Sequence, residues 1–113
     1  MTRAYLESLG YRVLEAADGS EAIARSLEYA GTINLVLSDL LMPGTRGDTA
    51  VNVIRTHRPG IKALFVSGYA DRETEDLKIL LKPFEFPELG RRVRAVLDEG
   101  HTSAANRIDP AAD

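Results

Sequence analysis

The chain has 113 residues, 44% hydrophobic and 27% charged, with a net charge of -3. That suits one soluble globular domain with its own core and excludes disorder throughout. The absence of cysteine removes disulfide frameworks, thiolate metal sites and thiol catalysis. The acid balance leaves no basic surface for nucleic acid, and no apolar run is long enough for a signal peptide or membrane span. The expected setting is the cytoplasm, with neither membrane nor nucleic acid as partner.

Tyr5, Leu6 and Leu9 fall at helical spacing, and Gly10 is placed to stop that helix. Tyr11 to Ala16 partly alternates and predicts a strand. Asp18-Gly-Ser-Glu21 carries the acid-x-x-Glu signature of a helix start, and the helix it opens is expected to carry Ile23, Leu27 and Ala30 inward. Residues 34 to 38 form an apolar strand ending on Asp39, followed by a turn at Pro43-Gly44. A third helix from about Asp48 presents Val51 and Ile54 on one face, and Pro59-Gly60 follows its end. Ile61 to Val66 is a second apolar strand ending on Ser67-Gly68, and Leu77 to Leu81 a third ending on Lys82. Between them, residues 69 to 76 are short and polar. The last helix carries the stripe Phe86, Leu89, Val93, Val96 and Leu97, with Pro87 in its first turn, where a missing N–H is harmless. Gly100 ends it. Residues 1–99 are expected to form the domain and residues 100–113 a disordered tail, since the latter are small, polar and aperiodic.

Alternating helices and strands predict a parallel α/β sheet with helices on both faces. All strand ends then point one way, and ligands bind beyond the carboxyl ends of such strands. Asp39, Ser67 and Lys82 therefore meet on one edge as carboxylate, hydroxyl and ammonium. Singly, each has a plain explanation as a loop acid, a turn residue or a surface charge. Together they suit a phosphoryl group: a nucleophile, a hydrogen-bond donor and a cation for the oxygens. His57 and His101 lack partner acids at ligand spacing and are expected to face solvent, and Asp71, Glu73, Glu75 and Asp76 read as a solvated face.

The motifs LSDLLMPG, FVSGYA and LLKPF, followed by ELGRRVRAVL, resemble the receiver domain of bacterial two-component response regulators across residues 2 to 99, particularly receivers attached to hybrid sensor kinases. The resemblance implies a flavodoxin-like fold in which Asp39 takes a phosphoryl group from a histidine kinase or phosphotransfer domain. It also implies Ser67 and Lys82 contacting that group, Leu41 offering its backbone carbonyl to Mg²⁺, and a cis Lys82-Pro83 bond. The domain is expected to catalyse at most its own phosphorylation and dephosphorylation.

Three departures from the family qualify this. The first strand of such domains, ending in two acids that complete the Mg²⁺ site, is expected to be missing from this chain, because the first helix is read as starting beside Met1. Mg²⁺ is therefore expected to bind weakly or not at all, leaving Asp39 paired directly with Lys82. Unpaired strand edges also favour homo-oligomers. The connection between Ser67 and Lys82 is short, so the fourth helix is expected to shrink to a turn or two. Ile79 stands where many receivers carry an aromatic residue. The competing expectation is a degenerate receiver that binds partners without phosphorylation. An independent phosphatase is weaker, because such enzymes often carry a second acid where this chain has Leu41.

Overall fold

A computed structural model describes residues 2–42, 44–69 and 76–99. In chain order these form α1 (Thr2–Ser8), α2 (Gly19–Glu28), β1 (Leu35–Asp39), α3 (Gly47–Arg55), β2 (Lys62–Ser67), β3 (Ile79–Leu81) and α4 (Phe86–Asp98). The described strands make one parallel sheet in the order β1-β2-β3. Leu35 pairs with Lys62 and Asp39 with Val66, while Phe65 pairs with Ile79 and Ser67 with Leu81.

The period of two along β2 divides the core between the two faces of the sheet. Leu64 joins Leu6, Leu80, Leu89, Val93 and Val96 on the side of α1 and α4. Ala63 and Phe65 join Leu40 and Val51 on the side of α3. The stripe expected on the last helix is the one that packs: Leu89, Val93 and Val96 are buried, and Phe86 and Leu97 pack partly buried against them. Tyr5 stacks on Phe86 with ring centroids 4.9 Å apart, which joins α1 to the first turn of α4. At the start of α2, Asp18 accepts a hydrogen bond from the Glu21 N–H, and the Glu21 carboxylate reaches back to the N–H of Ala17.

Two expectations need correcting. Residues 11–16 form no strand. Their alternation is genuine, since Tyr11 and Val13 are partly buried and Arg12 and Leu14 are exposed, but a cleft separates this segment from β1 and no ladder closes across it. Leu27 and Ala30 do not point inward: Leu27 is 64% exposed, and α2 buries Gly19 and Ser26 instead. Helix α2 packs mainly on α3, a contact made by small residues on its other face. The shortened fourth helix, the cluster Asp71, Glu73 and Glu75, His101 and the tail at 100–113 lie outside the described residues. No described helix is long and apolar enough to cross a membrane.

Candidate functional site

The carboxyl edge of the sheet assembles the candidate site. Asp39 is the last residue of β1, and Leu40 beside it is fully buried, which anchors the chain as it leaves the strand. The Leu40 N–H donates to the Val66 carbonyl at 2.9 Å, and its own carbonyl accepts from the Gly47 N–H at 2.8 Å. The loop between β1 and α3 is thus pinned at both ends. Within it Gly44 has φ +87°, a left-handed conformation that glycine adopts without steric cost.

Ser67 ends β2, buried apart from 4% of its surface. Its hydroxyl oxygen accepts from the Tyr69 N–H at 3.2 Å, and its carbonyl accepts from the Lys82 N–H at 2.8 Å. Lys82 follows β3 directly and precedes a cis peptide bond to Pro83. Its Nζ lies 3.3 Å from Asp39 Oδ1, with both side chains about half exposed. The direct Asp39–Lys82 contact expected from the sequence is therefore formed, and Ser67 stands on the strand between the two. Leu41 occupies the loop just after Leu40, with its side chain 53% exposed.

Three features of the site escaped the sequence reading. Gly47 packs against the end of β1 so closely that a Cβ there would overlap the Asp39 carbonyl oxygen and lie 2.7 Å from Ser38 Oγ. Ser38 Oγ in turn donates to that same carbonyl at 2.8 Å, which holds the peptide after Asp39. Arg46 and Asp48 pair at 3.0 Å across Gly47, and hydrogen bonds from Arg46 hold the Asp48 carboxyl below its ordinary pKa. The available signal was a glycine at the junction of turn and helix, which marks a close approach only when the neighbouring strand is known. His57 is exposed, as expected, and its Nε2 also lies 2.9 Å from the hydroxyl of buried Ser26.

Mg²⁺ takes near-octahedral oxygen ligands, usually one or two carboxylates with several waters. Among the described residues no group of three or more His, Cys, Asp or Glu is placed to hold a metal. Asp39 already faces the Lys82 ammonium. The described residues therefore do not fit a complete Mg²⁺ centre.

A parallel α/β sheet with helices on both faces, and an acid, a hydroxyl and a lysine on successive strand ends, defines a receiver-like signalling domain. The chain belongs to the response regulator receiver domain family, which it matches over residues 1–94. It is 39% identical over 101 residues to the sensor kinase CckA of Brucella abortus, an alignment spanning 83% of this chain and 11% of that protein. It is 37% identical over 106 residues to the transcriptional regulatory protein ResD of Bacillus subtilis, spanning 86% of this chain and 42% of ResD. The chain thus spans less than half of either relative. Among solved structures, the receiver domain from the hybrid histidine kinase CckA superposes with a TM-score of 0.73 at 38% identity, covering 85% of each chain. The response regulator TrrA of Thermotoga maritima, solved in complex with Mg²⁺-BeF, gives a TM-score of 0.69 at 26% identity, covering 83% of this chain and 84% of that one. The fold is the CheY-like receiver fold, and its class places the chain in two-component signalling.

Proposed function

We propose that this chain is a phosphoacceptor in a two-component phosphorelay, taking a phosphoryl group on Asp39 from a phosphohistidine of a kinase or phosphotransfer protein. The observation that carries this reading is the 3.3 Å approach of Lys82 Nζ to Asp39 Oδ1 at the carboxyl edge of the sheet. An Asp39 carboxylate oxygen forms the new bond to phosphorus as the P–N bond breaks, and the electron pair of that bond leaves on the imidazole. Lys82 offsets the charge gathering on the phosphoryl oxygens, and the Ser67 hydroxyl can donate to one of them. Such transfer depends chiefly on positioning and electrostatic stabilisation. No step is assigned to a metal, because the described donor set is incomplete.

The test is incubation with acetyl phosphate and Mg²⁺ followed by intact-mass measurement. The chain should gain one phosphate adduct and Asp39→Asn none. Equal incorporation by both would refute the assignment.

The incomplete metal donor set also favours a second reading, a partner-binding domain that works without phosphorylation. In that case a histidine kinase or phosphotransfer domain would bind the chain and Asp39→Asn equally well, with no adduct on either.

A further inference from the structure

The two ends of α4 differ in how well its own residues support them. Pro87 and Glu88 stand in the first turn, where a missing N–H costs nothing and an acid suits the positive end of the dipole. The other end carries Asp98 and the C-cap Glu99, with no basic residue in the last turn. Both acids face the negative pole of the helix, beside carbonyls that lack intrahelical partners. The Arg94–Asp98 pair at 3.2 Å is more than half exposed on both sides, so it offsets little of this.

Support comes from the sheet. The chain has three lysines; Lys82 stands at the candidate site, and the other two both reach the end of α4. Lys62 opens β2, and the period of two that turns Leu64 toward α4 turns Lys62 the same way. Its Nζ donates to the Leu97 carbonyl at 2.8 Å and to the Glu99 carbonyl at 2.6 Å. Lys78, just before β3, places its Nζ 3.2 Å from Glu99 Oε2. Strands β2 and β3 are parallel, so both lysines lie on the amino edge of the sheet, opposite Asp39, Ser67 and Lys82.

The two lysines hold unequally. Lys62 is half-buried, and its bonds to the carbonyls are charge-assisted. Lys78 and Glu99 are 54% and 47% exposed, where water and salt screen them. The body of α4 has its own anchorage, because Leu89, Val93 and Val96 are buried in the core. Beyond Val96 the stripe offers only Leu97, partly buried, and Asp98 and Glu99 are exposed. We propose that Lys62 is a latch: its ammonium holds residues 97–99 on the amino edge of the sheet, and loss of that charge releases them as a unit while the rest of α4 stays packed. The direction in which the chain leaves α4 is thereby set by one charge on the sheet, at the edge remote from Asp39. The inference is independent of phosphorylation, so Asp39→Asn should behave like the unaltered chain in its test.

The test is amide exchange along α4 of the full chain, in which the Glu99 N–H, donating to the Val96 carbonyl at 3.2 Å, reports on the last turn. Lys62→Met keeps an apolar stem and removes the charge. It should speed exchange at Leu97, Asp98 and Glu99 by roughly tenfold, as expected for loss of a charge-assisted hydrogen bond, and leave Val93 within about twofold. Lys62→Arg should restore most of the protection, whereas Lys78→Met should change it by about twofold at most. A second measurement needs no variant and keeps the test open if Lys62→Met fails to fold. By NMR of the unaltered chain, the Lys62 Nζ protons should exchange with water at least about tenfold more slowly than those of Lys78. The proposal is overturned if the two ammonium groups exchange alike, if Lys62→Met leaves residues 97–99 unchanged, or if Lys62→Arg behaves like Lys62→Met. Equal acceleration at Val93 and Glu99 would also overturn it, making Lys62 a general stabiliser of the helix.

Discussion

Asp39 and Lys82 are each about half exposed, and an ion pair so placed contributes at most about 1 kcal/mol to stability. Its importance is chemical: it sets a cation where charge would build during transfer to Asp39. Lys82→Gln should therefore change the urea-unfolding free energy by less than about 1 kcal/mol and slow acetyl phosphate labelling by roughly tenfold or more. A large stability loss with unchanged labelling would make Lys82 a structural residue. Gly47 should behave in the opposite way. Its place is fixed by lack of space, because a Cβ would overlap the Asp39 carbonyl oxygen, which is backbone and cannot swing aside. Gly47→Ala should cost about 1–3 kcal/mol by overpacking and slow labelling as well, since the peptide that carries the nucleophile must shift. Unfolding curves and labelling rates measured on one preparation check both effects.

Helix α2 ends without glycine, and a side chain from a distant part of the chain completes it. Arg58 donates from Nε to the Ser26 carbonyl at 3.0 Å, from Nη2 to Tyr29 at 2.7 Å and from Nη1 to Gly31 at 3.0 Å. These carbonyls lie at or just beyond the helix C-terminus, where a cation is also favoured by the dipole. Arg58→Ala should cost about 1.5–3 kcal/mol in urea unfolding, and Arg58→Lys should recover little, because an ammonium on a flexible stem cannot reproduce the planar fork. At the start of α3, the Arg46 hydrogen bonds keep the Asp48 carboxyl below its unfolded pKa. Its contribution is present above the unfolded pKa, near 4, and is lost as pH falls through the lower folded value. Asp48→Asn should accordingly flatten that acid limb of the stability profile, measured by denaturation from pH 6 downward. The elements differ in how plainly the sequence announces them. Strands ending on Asp39, Ser67 and Lys82 are legible as apolar runs that stop on polar residues, and α4 as a stripe that matches its packing. The alternation at 11–16 marks side chains that face in and out, but a ladder also needs a neighbour, which alternation cannot reveal. Leu27 fails for a related reason: helical period defines a stripe, and only the tertiary arrangement decides whether anything covers it. Gly47 was hidden because its contact is with another element.

Across the whole molecule, order should radiate from β2. That strand has β1 on one side, β3 on the other and a helical layer over each face. The ladder turns the Leu64 N–H toward β1, and the Phe65 N–H donates to the Lys78 carbonyl at 2.8 Å, so adjacent amides are held from opposite sides. Both side chains are almost completely buried, Leu64 at 0% and Phe65 at 2% exposure. Leu35 and Leu37 sit one strand away in the same apolar layer as Leu64, yet their amides face the cleft. Opening β2 requires separating both neighbours and both layers, which approaches global unfolding, whereas cleft-facing amides of β1 can exchange through local opening. Hydrogen exchange on the dilute chain should therefore leave Leu64 and Phe65 protected by at least roughly a hundredfold more than Leu35 and Leu37. The amides of residues 12–16 should exchange as fast as those of Leu35 and Leu37, because no ladder holds them, whereas the Tyr11 N–H donates to the Leu6 carbonyl. The comparison is internal to one sample and does not depend on total stability. Equal protection of Leu37 and Leu64 at a concentration where sedimentation finds only monomer would mean that the cleft is closed in solution, with residues 11–16 drawn onto β1 as the strand their alternation suggests.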